Sequence, residues 1–168
     1  MNSGETAPVG DDDREAVARQ LGRPPRGLRA IAARDAGGEP TVVQTHPRLE
    51  DGTPFPTLYY LTAPGLVAVC STLEAEGLMR EFADRLDSDA DLAERYRYAH
   101  ESYLAERDAL ESLGTRVSAG GMPDRVKCLH VHVGHALAAG PGVNPVGDEV
   151  LDIIADRWPE HRPLINRA

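Results

Sequence analysis

Pro64 divides the hydrophobic pattern of this chain into two regimes, and that division constrains the fold more than any other feature. Before it, apolar residues sit in short runs with a period near two, bounded by glycine and proline; after it they recur with a period of about 3.6. Strands gathered at one end and helices at the other give an α+β domain. The runs at 28–33, 41–45 and 57–62 predict a small antiparallel sheet of about three strands, the first two joined through the turn signal Gly37-Gly38. Residues 46–56 hold three prolines around Asp51-Gly52, which predicts a rigid loop.

Four to six helices are expected to pack on this sheet. Residues 13–21 read as a short helix stopped by Gly22. Past Pro64, Leu66, Val69, Cys70 and Leu73 share one face and Gly77 is the stop, so Cys70 is expected in the core. A second short helix carries Leu78, Met79, Phe82 and Leu86. Ser88 and Asp91 resemble a capping box opening a long helix over 89–113, whose apolar stripe suits a neighbouring helix of the same domain. Pro123 in a first turn and Gly140-Pro141 at the end predict a helix over 123–139, followed by one over 148–156. Residues 1–12, polar and acidic, are expected to form a disordered tail, with a single globular domain over 13–168.

Charge and composition narrow the function classes. With 27 acidic and 18 basic residues the net charge is −9, which argues against nucleic acid as a partner. No apolar run is long enough to span a bilayer and the N-terminus has no signal-peptide pattern, so no membrane partner and a cytoplasmic location are expected. Two cysteines cannot build a disulfide framework. The nucleophile elbow, zinc-protease helix, Walker loop and dinucleotide fingerprint are all missing.

The residues 118–140 carry the most chemistry. On a helix over 123–139, Val126, Leu129, Val133, Ala136 and Leu137 form an apolar arc, while Cys128, His132 and His135 share another face at i, i+4 and i+7 spacing. These three are candidate ligands for zinc, which would need a further ligand such as Asp124 or His46, or an open water position. The same segment also suggests an anion cradle. Gly120 and Gly121 would let backbone approach a phosphate, Ser118 would add a hydroxyl, Arg125 and Lys127 would add charge, and Arg48 would clamp from the proline-rich loop. His130 and Asp51 are the candidate acid–base residues.

The segments Leu21-Gly-Arg-Pro-Pro-Arg-Gly, Thr45-His-Pro-Arg-Leu-Glu-Asp-Gly-Thr-Pro-Phe-Pro-Thr-Leu-Tyr-Tyr-Leu-Thr, Ser118-Ala-Gly-Gly-Met-Pro-Asp-Arg-Val-Lys-Cys-Leu-His and Gly142-Val-Asn-Pro-Val-Gly-Asp resemble the actinobacterial family called domain of unknown function 501. The resemblance runs from about residue 14 to 158 and implies no established reaction. The family's genes often stand beside a septum-formation initiator and an exopolyphosphatase, which implies a link to division or phosphate metabolism. Many members carry cysteines at the positions of Asp35 and Ala63, which with those of Cys128 and His130 imply a zinc or iron–sulfur site in those members. Here the soft ligands are replaced, leaving a harder set of Asp35, Cys128 and histidine.

The expectation is therefore a protein that binds a small phosphate-type anion, with catalysis on that anion left open. The alternatives are an interaction module with a division-related protein partner, displayed on the 89–113 helix, or a zinc-supported binding domain.

Overall fold

A computed structural model describes residues 7–167. It holds the expected α+β arrangement, one three-stranded antiparallel sheet with six α-helices and a short 3-10 helix among the described residues. Helix α1 (Asp11–Leu21) starts two residues earlier than the apolar period suggests, because Asp11, Asp12 and Asp13 place negative charge on its N-terminal dipole. Gly22 ends it with φ 72°. Of the expected tail, residues 1–6 lie outside the described residues.

Strands β1 (Leu28–Arg34) and β2 (Pro40–Thr45) form a hairpin whose turn is tied by the Asp35 carboxylate, accepting from the amides of Gly37 (2.8 Å) and Glu39 (2.9 Å). Strand β3 (Tyr59–Leu61) pairs with β2 and completes the order β1-β2-β3. It is shorter than the apolar run predicts because Leu58 turns its N–H to the Tyr103 hydroxyl at 2.6 Å. The proline-rich loop between β2 and β3 is a small hairpin of its own, with Arg48 bridged to Pro54.

The sheet divides the apolar side chains by alternation. Val42, Tyr59 and Leu61 join the main core, while Leu28 and Val43 pack with Val17 of α1 on the other face. The main core is closed by α2 (Pro64–Ala75), α3 (Leu78–Ser88), α4 (Ala90–Leu110), α5 (Leu129–Ala139) and α6 (Pro145–Arg157). Helix α5 is central. Its Gly134 lies against β3, where a Cβ would stand 3.4 Å from Tyr59 O, and Gly147 of α6 lies so close that a Cβ there would come within 2.1 Å of His132 O.

Four boundaries correct the sequence reading. Asp89, not Ser88, caps α4 by accepting from Leu92 N at 3.1 Å, since Ser88 is the last residue of α3 and bonds back to Asp84 O. Helix α4 stops at Leu110 because the fully buried Arg107 donates to Val117 O (2.8 Å) and Thr115 O, folding the following loop back onto it. Helix α5 starts at Leu129 rather than 123, since Gly120 (φ 63°) and Gly121 (φ 90°) spend residues 119–127 on tight turns closed by Arg125 N to Gly121 O and Lys127 N to Gly120 O. Helix α6 starts at Pro145, three residues before the predicted boundary, because Asn144 Oδ1 accepts from Gly147 N at 3.0 Å.

Candidate metal centre

The late start of α5 changes which side chains meet. Cys128 is the residue that caps the helix, with extended backbone (φ −156°), so it leaves the helical face it was expected to share with His132 and His135. Its thiol lies instead 3.7 Å from His130 Nδ1. From α2, Glu74 brings Oε1 to 3.2 Å from the same His130 Nδ1, while its Oε2 accepts from Leu129 N at 3.0 Å. Among the described residues, Glu74, Cys128 and His130 are the one group of three such side chains whose ligand atoms all lie within 4.8 Å of one another.

Sulfur and oxygen converge here on one nitrogen. A nucleophile–base–carboxylate relay threads the imidazole through both of its nitrogens, with the carboxylate on one and the nucleophile on the other. In this cluster Nδ1 faces both partners, and Nε2 points to Ser71 Oγ at 3.4 Å, whose hydroxyl donates to Val67 O. That is the arrangement of three donors around a point, with a hydroxyl orienting the far side of the ring. The Cys128 thiol beside it raises the pKa of His130, Glu74 adds to the effect, and partial burial opposes it. Burial pushes the nearby Cys70 thiol up to about 12, with Glu74 and Cys128 adding to the rise, so Cys70 stays a protonated core residue.

Cys128 and His130 also form part of the wall of a cleft of about 570 Å³. Its other walls come from β3 and its flanks (Thr57, Tyr60, Thr62), the first turns of α2 (Pro64, Val67) and the end of α1 (Gln20).

His132 and His135, the other expected ligands, are fully buried and engaged elsewhere. Because Asn144 Oδ1 is taken by Gly147 N, its amide NH₂ faces His132 Nδ1 (3.1 Å) and His135 Nδ1 (3.2 Å), and donates to both. His132 Nε2 then carries the hydrogen and points to Tyr96 Oη (2.9 Å) and Gly120 O (3.2 Å), while Tyr96 donates to Arg125 O. His135 stands between the rings of Tyr59 and Tyr103. Burial lowers the pKa of both to about 4, so both are neutral structural residues near pH 7.

The residues of the expected anion cradle are dispersed. Arg48 pairs with Glu111 (3.1 Å) and donates to Gly52 O. Ser118 is buried against His100 Nδ1 at 2.7 Å. A Cβ at Gly120 would meet the His132 ring at 2.7 Å and one at Gly121 would meet Arg125 O at 2.7 Å, so both glycines serve close packing of the turn. Arg125 and Lys127 are exposed on the turn, and the helix N-terminus behind them is occupied by Glu74. Asp51 accepts from Thr53 N in an exposed turn and lines a different cleft from His130. Asp35 is held in its hairpin turn and Ala63 caps α2, so neither joins Cys128.

Sequence reasoning missed Glu74. Its position four residues after Cys70 on the same helix was legible, but only the fold brings α2 beside the start of α5.

No curated protein and no solved structure matches the chain. Residues 31–152, well over half of it and including all three donors, match the family described as Protein of unknown function (DUF501). The chain belongs to that family.

Proposed function

We propose that Glu74, Cys128 and His130 hold a single zinc-type metal ion with an open fourth position, and that the protein is a metal-dependent hydrolase acting on a molecule in the adjoining cleft. The observation that carries this reading is the donor geometry. A tetrahedral ion with metal–sulfur, metal–nitrogen and metal–oxygen bonds of about 2.3, 2.0 and 2.1 Å requires sulfur–nitrogen and nitrogen–oxygen edges of about 3.5 and 3.4 Å. The distances here are 3.7 and 3.2 Å. Thiolate, imidazole and carboxylate form a borderline set that suits zinc, and three protein ligands plus one open position are the pattern of catalytic rather than structural sites.

In the open position a bound water would be acidified toward neutral pH and would supply the nucleophile. Ser71 orients the imidazole, and Leu129 N–H holds the far oxygen of Glu74 so that the near one faces the ion. The phosphate-binding reading of residues 118–127 draws no support from this geometry, and the division-related partner draws none from α4, whose exposed face is laced by pairs such as Arg95–Asp91 and Arg116–Glu101.

Cobalt(II) titration of the reduced, metal-free protein tests the centre. One equivalent should bind with intense tetrahedral visible bands and a thiolate charge-transfer band, and Cys128→Ser should abolish the latter. Stoichiometric binding that is unchanged in Cys128→Ser would move the ion elsewhere; no binding would remove the reading.

A further inference from the structure

A second cleft of about 250 Å³ adjoins the first, and the two share Leu21 and Tyr60. It lies over the outer face of the sheet, where Leu28 and Val43 form its floor and Leu49 and Phe55 of the proline-rich loop form its far wall. Tyr60, one of the few large exposed apolar side chains among the described residues, forms the saddle between the two clefts. The walls are apolar, but Arg23 and Arg26 stand on them.

Nine of the seventeen arginines form ion pairs within 4.0 Å among the described residues. Arg23 and Arg26 are among the eight that do not, and both line this cleft. Asp51 lies close enough to feel Arg26, yet it bonds to Thr53 instead. Two guanidiniums free of ion pairs at one apolar cleft, with Glu50 and Asp51 on the far side of Arg26, complement a ligand that is anionic at one end and hydrocarbon along its length.

We infer that this trough binds a single-chain aliphatic carboxylate, its head held by Arg23 and Arg26 and its chain running over Tyr60 toward the Glu74–Cys128–His130 centre. The smaller cleft has room for about eight water-sized units, so a chain of about eight carbons fills it before crossing the saddle. The inference rests on the proposed function in assigning the far end of the chain to the metal centre, and it makes the substrate an acyl compound whose hydrolysable bond lies at the end remote from the carboxylate. Hydrolysis there adds water across an ester or amide bond and releases an alcohol or amine with the new carboxylic acid.

Isothermal titration with decanoate tests the trough independently of the metal. Decanoate should bind the wild type and Cys128→Ser equally, and butyrate and decylammonium should bind at least about tenfold more weakly. The exposed pair Arg23→Ala/Arg26→Ala should lose at least about tenfold in decanoate affinity while keeping cobalt binding, and Arg23→Lys/Arg26→Lys should recover part of it. Equal decanoate binding by wild type and the alanine pair overturns the inference. So does sedimentation with phosphatidylglycerol vesicles in the absence of binding to monomeric decanoate, which would make the trough a membrane-contact surface. Loss of cobalt binding in the wild type with decanoate binding intact would remove the metal centre and leave the trough standing.

Discussion

Leu129 donates its amide hydrogen to Glu74 Oε2 at 3.0 Å, so a carboxylate from the last turn of α2 fastens the first turn of α5. The same carboxylate neutralises the positive end of the α5 dipole and presents its other oxygen to His130. Glu74→Gln keeps the shape and one acceptor but loses the charge. Its metal affinity should fall by more than the roughly 10- to 100-fold typical of an orienting partner, and Ser71→Ala should fall within that range. Competition against a chromogenic chelator measures both; equal affinities for Glu74→Gln and wild type would exclude Glu74 as a ligand.

Asn144 serves three groups at once, capping α6 through Oδ1 and donating to His132 and His135 through its amide. Asn144→Ala removes a cap worth about 1 kcal/mol and leaves two buried imidazole nitrogens unpaired, so a loss of about 3 kcal/mol or more in unfolding free energy is expected. Asn144→Asp keeps the cap but turns an oxygen toward both Nδ1 atoms. Its deficit should therefore be larger at pH 8 than at pH 6, where the imidazoles gain hydrogens to donate. A deficit independent of pH would contradict this hydrogen-bond assignment.

Burial lowers His135 from 6.5 to about 4. Between those values the unfolded chain carries a proton that the native imidazole refuses, so the stabilisation is complete above pH 6.5 and is lost as pH falls toward 4. The loss from this one residue should reach about 2 kcal/mol by pH 5 relative to pH 8. Urea unfolding followed by Trp158 fluorescence at pH 8, 6 and 5 should show that decline, and a flat profile would mean the imidazole is accessible to protons in the native state.

Gly147 permits the contact of α5 with α6. A methyl at 147 would stand 2.1 Å from His132 O and 2.7 Å from Ala136 Cβ, with rigid helical atoms on both sides. Gly147→Ala should cost about 3 kcal/mol or more, against the gain of about 1 kcal/mol that the same change brings in an open helix. Thermal unfolding of the two proteins distinguishes these signs directly.

The fold class was legible because the change of period at Pro64 is a local property of the chain. The helix ends were less so, and the start of α5 mattered most. Pro123 looked like a first-turn residue, but it follows a cis peptide bond in a run of turns that Gly120 and Gly121 make possible. That six-residue error put Cys128 on a helical face and grouped it with His132 and His135. His130 was singled out as an acid–base candidate and, through the family resemblance, as a position paired with Cys128 in a metal site. The place of Glu74 on its helix was legible but its partners were not, because a lone carboxylate on an amphipathic helix looks like a solvated one until its neighbour in space is known. The residues of the anion cradle do not converge for a related reason: the glycines that suggested backbone approach to a phosphate face His132 and the chain's own backbone.

The backbone contact of Gly147 with His132 also apportions mobility. With α5 locked to α6 and tied to α2, Glu74, Cys128 and His130 should lie in the part of the molecule that exchanges its amide hydrogens last. The opposite bank of the trough is built of α1 and the proline-rich hairpin, held over the sheet by the small cluster of Val17, Leu28 and Val43. Breathing of the protein should thereby be confined to the side that carries this bank, and deuterium uptake should mark a slow bank and a fast one facing each other across Tyr60.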